Sequence, residues 1–183
     1  MMAYVPLILI VIVVGWFVAS YNKLVRLRNQ LKNAWQQIDV QLKRRHDLIP
    51  NLVEVVKGYM TFEQETLTKV IEARGAAVSA RGPAAQGKAE NVLTESLKSL
   101  FAVVESYPDL KANRNVASLQ EELTGTENKI SFARQFYNDS VMTYNNAIQA
   151  IPSNFVASMF NFGAESYFQA GEADREVPKV SLR

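Results

Sequence analysis

An uncharged, strongly apolar run at the start of the chain constrains its fold more than any other feature. Residues 1–22 contain no Asp, Glu, Lys, Arg or His, whereas Lys23, Arg26, Arg28 and Lys32 follow at once. A helix of about 20 apolar residues spans the ~30 Å hydrocarbon core of a bilayer. We therefore predict a transmembrane anchor at 1–22, so that the rest of the chain works beside a membrane.

The basic residues also predict the side of the membrane on which the remaining domain lies. No Lys or Arg precedes the anchor and four follow it closely, which is typical of a cytoplasmic flank. We expect a single-pass protein of the cell membrane, with its N-terminus outside and its helical domain in the cytoplasm. The alternative is a cleaved signal peptide, because Val18-Ala19-Ser20 resembles a cleavage site, but the basic region that begins such a signal is missing.

The composition excludes several classes of enzyme. Cysteine is absent, which excludes disulfides, thiolate catalysis and cysteine-ligated metals. The one histidine, His46, cannot supply the two Glu-x-x-His motifs of a di-iron bundle, and the common phosphate-loop, serine-hydrolase and zinc-protease motifs are missing. We expect no catalytic activity, no cofactor and no metal site. Nucleic acid is not an expected partner, because the basic residues form no stripe interleaved with aromatic residues.

Beyond the anchor, apolar residues recur at spacings of three and four, which is the period of a helix and not of a strand. Four segments follow this pattern, at about 23–60, 61–80, 88–106 and 113–151. We expect them to be separated by a break at Gly58 with a capping box at Thr61–Gln64, a loop at 81–87, and Pro108. The expected inward residues are Leu67, Val70, Ile71 and Val78 in the second segment, and Val92, Leu93, Leu97, Leu100, Phe101 and Val104 in the third.

These segments predict an all-α fold, in which the N-terminal transmembrane helix is followed by an antiparallel up-down four-helix bundle with long first and last helices. Packing along such seams resembles that of a coiled coil. The expected domains are the anchor at 1–22, the bundle at 23–151 and an aromatic-rich C-terminal tail at 152–183. Pro50 lies within the first helix and predicts a kink. In an alternative arrangement, that helix continues through Gly58 to about residue 80, as a stalk with a helical hairpin at its tip.

The densest polar cluster of the chain lies around its single histidine. Arg45 and His46 fall on the buried stripe between Leu42 and Ile49, and Asp39 or Asp47 is the expected carboxylate partner. One interpretation is a buried polar network that fixes the register of the helices. The other is a proton-linked or ligand-binding site, because imidazole is the side chain that changes charge near neutral pH.

The tail after Pro152 is unusually rich in aromatic side chains. Because the fourth helix of an up-down bundle returns toward the anchor, we expect these residues near the membrane. An interfacial helix or a contact with another subunit is one interpretation, and a helix that caps the core is the other. The candidate interface consists of Phe155, Met159, Phe160, Phe162, Tyr167 and Phe168.

A repeated pattern of asparagines occurs near the two ends of the predicted bundle. Tyr21-Asn22-x-x-Val25-x-x-x-Asn29 and Tyr137-Asn138-x-x-Val141-x-x-x-Asn145 share their offsets. These amides lie close to seam positions, where an Asn can bond to a facing helix and fix its register. The alternative is a coincidence between two amphipathic helices.

Several motifs together resemble the LemA family of bacterial proteins. They include Tyr21-Asn22-x-Leu24-Val25, Asn33-Ala34-Trp35, the continuous string from Ile38 to Val53, Glu72-Ala73-Arg74, Tyr144-Asn145 and Pro178-Lys179-Val180. The string from Leu42 to Val53 is the most specific of these, and the resemblance covers essentially the whole chain. It implies a membrane-anchored α-helical domain without an established enzymatic activity and without known catalytic residues. It also extends to a group of magnetosome-associated membrane proteins.

Together, these features predict a membrane-anchored helical scaffold or adaptor. We expect its partners to be the lipid bilayer and either further copies of the chain or other membrane proteins. The alternative is a ligand- or proton-responsive bundle, that is, a sensor centred on Arg45 and His46.

Overall fold

A computed structural model of the protein describes residues 4–59 and 63–168. In these ranges the chain is helical and contains no strand, which confirms the all-α fold class. The helices are α1 (Val5–Lys57), α2 (Gln64–Ser79), α3 (Pro83–Glu105), α4 (Pro108–Lys111), α5 (Arg114–Gln149) and α6 (Ser153–Met159).

Helix α1 is 53 residues long and covers both the predicted anchor and the predicted first helix of the bundle. Its first part is strongly apolar and is not buried, and α1 is long and apolar enough to cross a membrane. The break predicted at Gly58 is confirmed, because α1 ends at Lys57 and α2 begins at Gln64. The unbroken stalk is therefore wrong. Thr61 and Phe62 of the predicted capping box lie outside the described residues, and Glu63 makes no capping bond with its side chain.

The buried face of α2 differs from the one expected. Leu67 and Val70 are buried as predicted, but Ile71 and Val78 are exposed. Ala73 and Ala77 are buried instead. These two alanines belong to the same apolar core as the buried leucines of α3. Val92 of α3 is likewise exposed and not inward.

The loop predicted at 81–87 is much shorter than expected. Helix α3 begins at Pro83, and Gln86 and Gly87 are buried within it. Proline is favoured in the first turn of a helix, because its missing N–H would have no intrahelical acceptor there. Gly82 takes a φ of +81°, which glycine adopts without strain, and it makes the turn. The Gly and Pro residues therefore mark the start of a helix and not a long loop.

The described residues form two compact units. The first unit contains the residues up to Ile38 together with Ala133–Ser166, and the second contains Asp39–Phe132 with Tyr167 and Phe168. In the first unit, Trp35 and Tyr137 meet edge to face, with ring centroids 5.4 Å apart. Tyr21 meets Phe160, which follows the end of α6. Residues early in α1 thus meet residues late in the chain within this unit.

The second unit is built around a continuous apolar core. Four helices contribute most of it, and α4 adds one leucine. The buried residues are Ile49, Leu52, Val53 and Val56 from α1, Leu67, Val70, Ala73 and Ala77 from α2, Leu93, Leu97, Leu100 and Val104 from α3, Leu110 from α4, and Val116 and Leu123 from α5.

Candidate functional site

A cluster of charged side chains lies buried in the second unit, between α1 and α3. Arg45 is 2% exposed, His46 is also buried, and Glu90 is completely buried. Nη1 of Arg45 donates to Oε2 of Glu90 at 3.2 Å, and Nε2 of His46 lies 2.7 Å from Oε1 of the same carboxylate. Glu90 therefore joins two consecutive residues of α1 through its two oxygens.

Further polar groups complete the surroundings of this cluster. Nε2 of Gln86 donates both to Oε1 of Glu90 and to the carbonyl of Ala77, each at 2.9 Å. Nη2 of Arg45 donates to the hydroxyl of Thr94 at 2.8 Å. Nη1 of Arg45 also lies 3.0 Å from a carboxylate oxygen of Glu127, which is partly exposed. A buried carboxylate costs several kcal/mol unless it is paired, and Glu90 here has three partners.

Pro50 leaves one carbonyl of α1 without its usual partner, and α2 supplies another. A proline has no N–H, so the carbonyl four residues earlier, that of His46, cannot accept the normal helical bond. Nε of Arg74 donates to this oxygen at 2.7 Å. Arg74 thus satisfies the backbone group that Pro50 leaves free, which explains how α1 contains a proline in its interior.

The four residues proposed from the sequence as a polar cluster do not share one environment. Arg45 and His46 are buried, whereas Asp39 and Asp47 lie on the exposed side of α1. The carboxylates that face Arg45 and His46 are Glu90 and Glu127, from other helices. The expectation of Asp39 or Asp47 as partner is therefore wrong. Residues one or two positions from the buried stripe point away from it on a helix.

The sequence contained a signal for Glu90 that was missed. Residues Leu93, Leu97, Leu100 and Val104 form the inward stripe of α3, and the same alternation of threes and fours extends back to Glu90 and then to Gln86. Both polar residues therefore continue an apolar stripe and are buried like its other members. A charged residue in such a position indicates a buried partner.

The chemistry open to this cluster is limited. Each of Arg45, His46 and Glu90 has a close protein partner, and the described residues contain no group of three or more His, Asp or Glu side chains that could hold a metal ion. The cluster can fix the relative register of α1 and α3. Its geometry does not include an activated nucleophile.

The aromatic tail gives a second candidate site, in the first unit. Phe155, Met159 and Phe160 are exposed, whereas Phe162 is buried. The ring centroid of Phe160 lies 4.7 Å from that of Tyr21 and 5.9 Å from that of Phe17. The tail therefore lies beside the end of the apolar run of α1, as expected from the sequence.

The remaining candidate interface residues differ in their burial. Tyr167 is exposed and Phe168 is buried, and both belong to the second unit. Phe162 contacts the ring of Tyr21 at 5.8 Å, and the guanidinium of Arg28 lies 5.9 Å from its centroid. Buried Phe162 and Phe168 are part of the protein interior, so neither offers a free surface. The exposed residues Phe155, Met159 and Phe160 remain as the candidate interface of the first unit.

Two residues of α5 hold the backbone of the tail. The side chain of Asn145 accepts a bond from the N–H of Glu165 and donates one to its carbonyl, both at 3.0 Å. The hydroxyl of Tyr137 donates to the carbonyl of Ser166 at 2.9 Å. Burial, together with the negative charge of Glu165, raises the pKa of Tyr137 to about 12. Asn145 therefore bonds to the tail, and not to a facing helix as its repeated pattern had suggested.

Comparisons with known proteins give a matching family and several relatives. The model of the LemA family matches residues 34–182. The chain is 28% identical to Protein LemA of Metamycoplasma hominis over 172 residues, which cover 91% of this chain and 77% of that protein. It is 24% identical to Magnetosome protein MamQ 2 of Paramagnetospirillum magneticum, with 93% of this chain and 74% of that protein covered. Magnetosome protein MamQ of Magnetospirillum gryphiswaldense is 23% identical, with coverages of 87% and 70%. None of these names is that of a catalytic family.

Proposed function

Because the chain belongs to the LemA family, we propose that it is a membrane-anchored helical scaffold or adaptor without catalytic activity. In this proposal the apolar part of α1 crosses the membrane, and α1, α2, α3 and α5 pack as an antiparallel up-down bundle with long first and last helices. The bundle assembles with copies of itself or with other membrane proteins. The domain lies in the cytoplasm and the N-terminus outside.

The observation that carries the proposal is the continuity of α1. One helix extends from the uncovered apolar segment into the core residues Ile49, Leu52 and Val56. A helix long and apolar enough to cross a membrane is thus part of the same element that builds the core of the second unit. The paired, buried state of Arg45, His46 and Glu90 favours a structural role for the polar cluster and gives no support to catalysis.

Anchoring can be tested by adding charge to the apolar segment. Each Arg placed near the centre of a transmembrane helix costs about 2.5–3.5 kcal/mol of insertion. The double variant Ile10→Arg/Val13→Arg should therefore move the protein from the carbonate-resistant membrane fraction to the soluble fraction. The control, Val40→Arg/Val78→Arg, adds the same charge at two exposed sites outside this segment and should remain in the membrane.

The scaffold itself can be tested on full-length protein in mild detergent. Light scattering should give a mass of more than one copy, or a fixed ratio to a membrane protein that co-purifies. A single copy at all concentrations, without a stoichiometric partner, would contradict the proposal.

One observation favours a second candidate function, a proton-responsive sensor. His46 lies 2.7 Å from a buried carboxylate, and imidazole changes its charge between about pH 5 and 8. The charged groups that face it are Glu90 and Arg45, with Glu127 next to Arg45 and Arg74 on the His46 carbonyl. The cluster thus brings one guanidinium and one imidazole together with two carboxylates.

The two functions make different predictions for His46→Gln. If the cluster is structural, this variant lowers the free energy of unfolding by about 1–2 kcal/mol, as for a disturbed buried hydrogen bond, and leaves assembly unchanged. If it is a sensor, assembly of the wild type changes between pH 7.5 and pH 5.5 and that of the variant does not. Size measurements of the full-length protein at both pH values separate the two.

A further inference from the structure

Helix α6 carries apolar side chains on two opposite sides. Val156 and Ala157 are buried against the first unit, whereas Phe155 and Met159 are 68% and 67% exposed. Residues four positions apart lie on the same face of a helix, so Phe155 and Met159 form one exposed apolar face. Ile151, in the turn between α5 and α6, is exposed as well. A contiguous apolar surface of this kind indicates contact with something other than water.

The same region is free of charge. In the sequence, no charged residue and no histidine occurs between Asp139 and Glu165, so the last part of α5, the whole of α6 and the segment after it are uncharged. Exposed faces in the second unit are different, since α2 carries the ion pair of Glu65 with Lys69 and α3 that of Glu95 with Lys98. An uncharged surface with large apolar side chains suits the boundary between lipid headgroups and acyl chains.

The length of α1 sets the level of α6 relative to a membrane. Every described residue before Phe17 is exposed, and protein covers α1 only from Phe17 onward. From Val5 to Trp16 the helix rises by only ~18 Å at ~1.5 Å per residue, which is less than the ~30 Å of a hydrocarbon core. A span of ~20 residues that begins at the first residue of α1, Val5, reaches past Phe17 and Tyr21. Phe160 packs on both of these rings, so it lies at the same level.

We propose that α6 lies in the membrane interface, with Phe155, Met159 and Phe160 in contact with lipid. The inference rests on the proposed membrane anchoring, which it deepens by adding a second contact with the bilayer. Lys23 and Arg26, exposed on the next turn of α1, face anionic headgroups at this level. In this arrangement α6 lies at the membrane surface beside the transmembrane part of α1, and the buried residues Val156 and Ala157 attach it to the protein.

The test uses the absence of cysteine in the native chain. Ser158→Cys, exposed in α6 beside the apolar face, is labelled with an environment-sensitive fluorophore in the full-length protein. The protein is reconstituted in phosphatidylcholine and phosphatidylglycerol vesicles that contain lipids with a nitroxide either near the headgroup or near the bilayer centre. Val11→Cys, within the apolar segment, reports on anchoring, and Thr143→Cys on α5 reports background quenching.

The expected result is strong quenching at Ser158→Cys by the shallow nitroxide and at Val11→Cys by the deep one. Adding Phe155→Ser and Met159→Ser should remove most of the quenching at Ser158→Cys, whereas Phe132→Ser, at an exposed aromatic residue of the second unit, should not. Circular dichroism checks that these variants keep their helical content.

Two other results would overturn the inference. If Val11→Cys is quenched and Ser158→Cys is not, the protein is anchored but α6 faces water or a second copy of the chain. If neither position is quenched, the proposed anchoring is wrong, and so is the placement of α6 in the membrane interface. The two failures are therefore distinguishable in one set of samples.

Discussion

Glu90 is the residue on which the polar cluster depends. Removing one member of a buried ion pair leaves the other charged, buried and unpaired, which costs about 3–5 kcal/mol. Glu90→Ala should therefore lower the free energy of unfolding by that amount, because Arg45 loses its buried partner and His46 and Gln86 lose an acceptor. Denaturant unfolding of the full-length protein in detergent, followed by circular dichroism, measures the change.

The matched control for Glu90 lies one turn further along the same helix. Glu95 is exposed and pairs with Lys98 at the surface. Surface pairs of this kind contribute about 0.2–1 kcal/mol, so Glu95→Ala should have a small effect. Equal losses for the two variants would show that helix propensity and not the buried cluster determines the result.

Tyr137 should make the protein less stable at high pH. In the unfolded chain its hydroxyl has a pKa near 10.0, whereas burial and Glu165 raise the pKa to about 12 in the folded protein. The folded state therefore keeps a proton that the unfolded state releases, so stability is full below pH 10 and falls as the pH rises through 12. The pKa of Tyr144 is also raised by burial, which adds to the same trend.

Tyr137→Phe separates this effect from general alkaline damage. The variant keeps an aromatic ring against Trp35 but loses the bond to the Ser166 carbonyl. Its stability should be lower at neutral pH and should fall less steeply between pH 10 and 12. Thermal unfolding over this pH range checks the prediction, and parallel curves for the two proteins would contradict the assignment to Tyr137.

At the scale of the helices, Pro50 and Arg74 should be energetically coupled. Arg74→Ala leaves the His46 carbonyl without its donor, and a hydrogen bond from a charged group contributes about 1.5–3 kcal/mol. In a Pro50→Ala background the new N–H of residue 50 can donate to the same oxygen, so Arg74→Ala should cost less there. A double-mutant cycle on unfolding free energies measures the coupling, and additive effects would show that Arg74 acts elsewhere.

Sequence periodicity predicted the helical elements well, because burial at spacings of three and four leaves a strong pattern. It predicted the buried face of α2 and the partner of Arg45 and His46 less well. Apolar size alone suggested Ile71 and Val78 as core residues, but the smaller Ala73 and Ala77 are buried in their place. The partner of Arg45 and His46 was missed because Glu90 is distant in sequence and a helical glutamate is usually exposed. The position of the tail beside Tyr21 was predicted, since a returning last helix requires it.

At the scale of the whole molecule, the proposed sidedness is open to a direct test. A single cysteine in the α2–α3 turn, reacted with an impermeant thiol reagent in intact cells, should stay unlabelled until the cytoplasm is opened. Arg81→Cys is a better choice than Gly82→Cys, because Gly82 has a φ of +81° that a side chain would strain. Tyr4→Cys, at the other end of the span, should react at once. The reverse pattern would place the domain outside the cytoplasm.

The pair of hydrogen bonds from Asn145 to Glu165 has a consequence for how the tail moves. One amide side chain makes both bonds that a neighbouring backbone residue would make, and it holds Glu165 next to the Ser166 carbonyl that Tyr137 binds. The Glu165 N–H should then exchange its hydrogen much more slowly than is usual for a residue outside a helix. Its exchange rate measures how often the bonds between Asn145 and Glu165 open. Detachment of the tail from α5 can be followed at that one proton, without any label near the membrane.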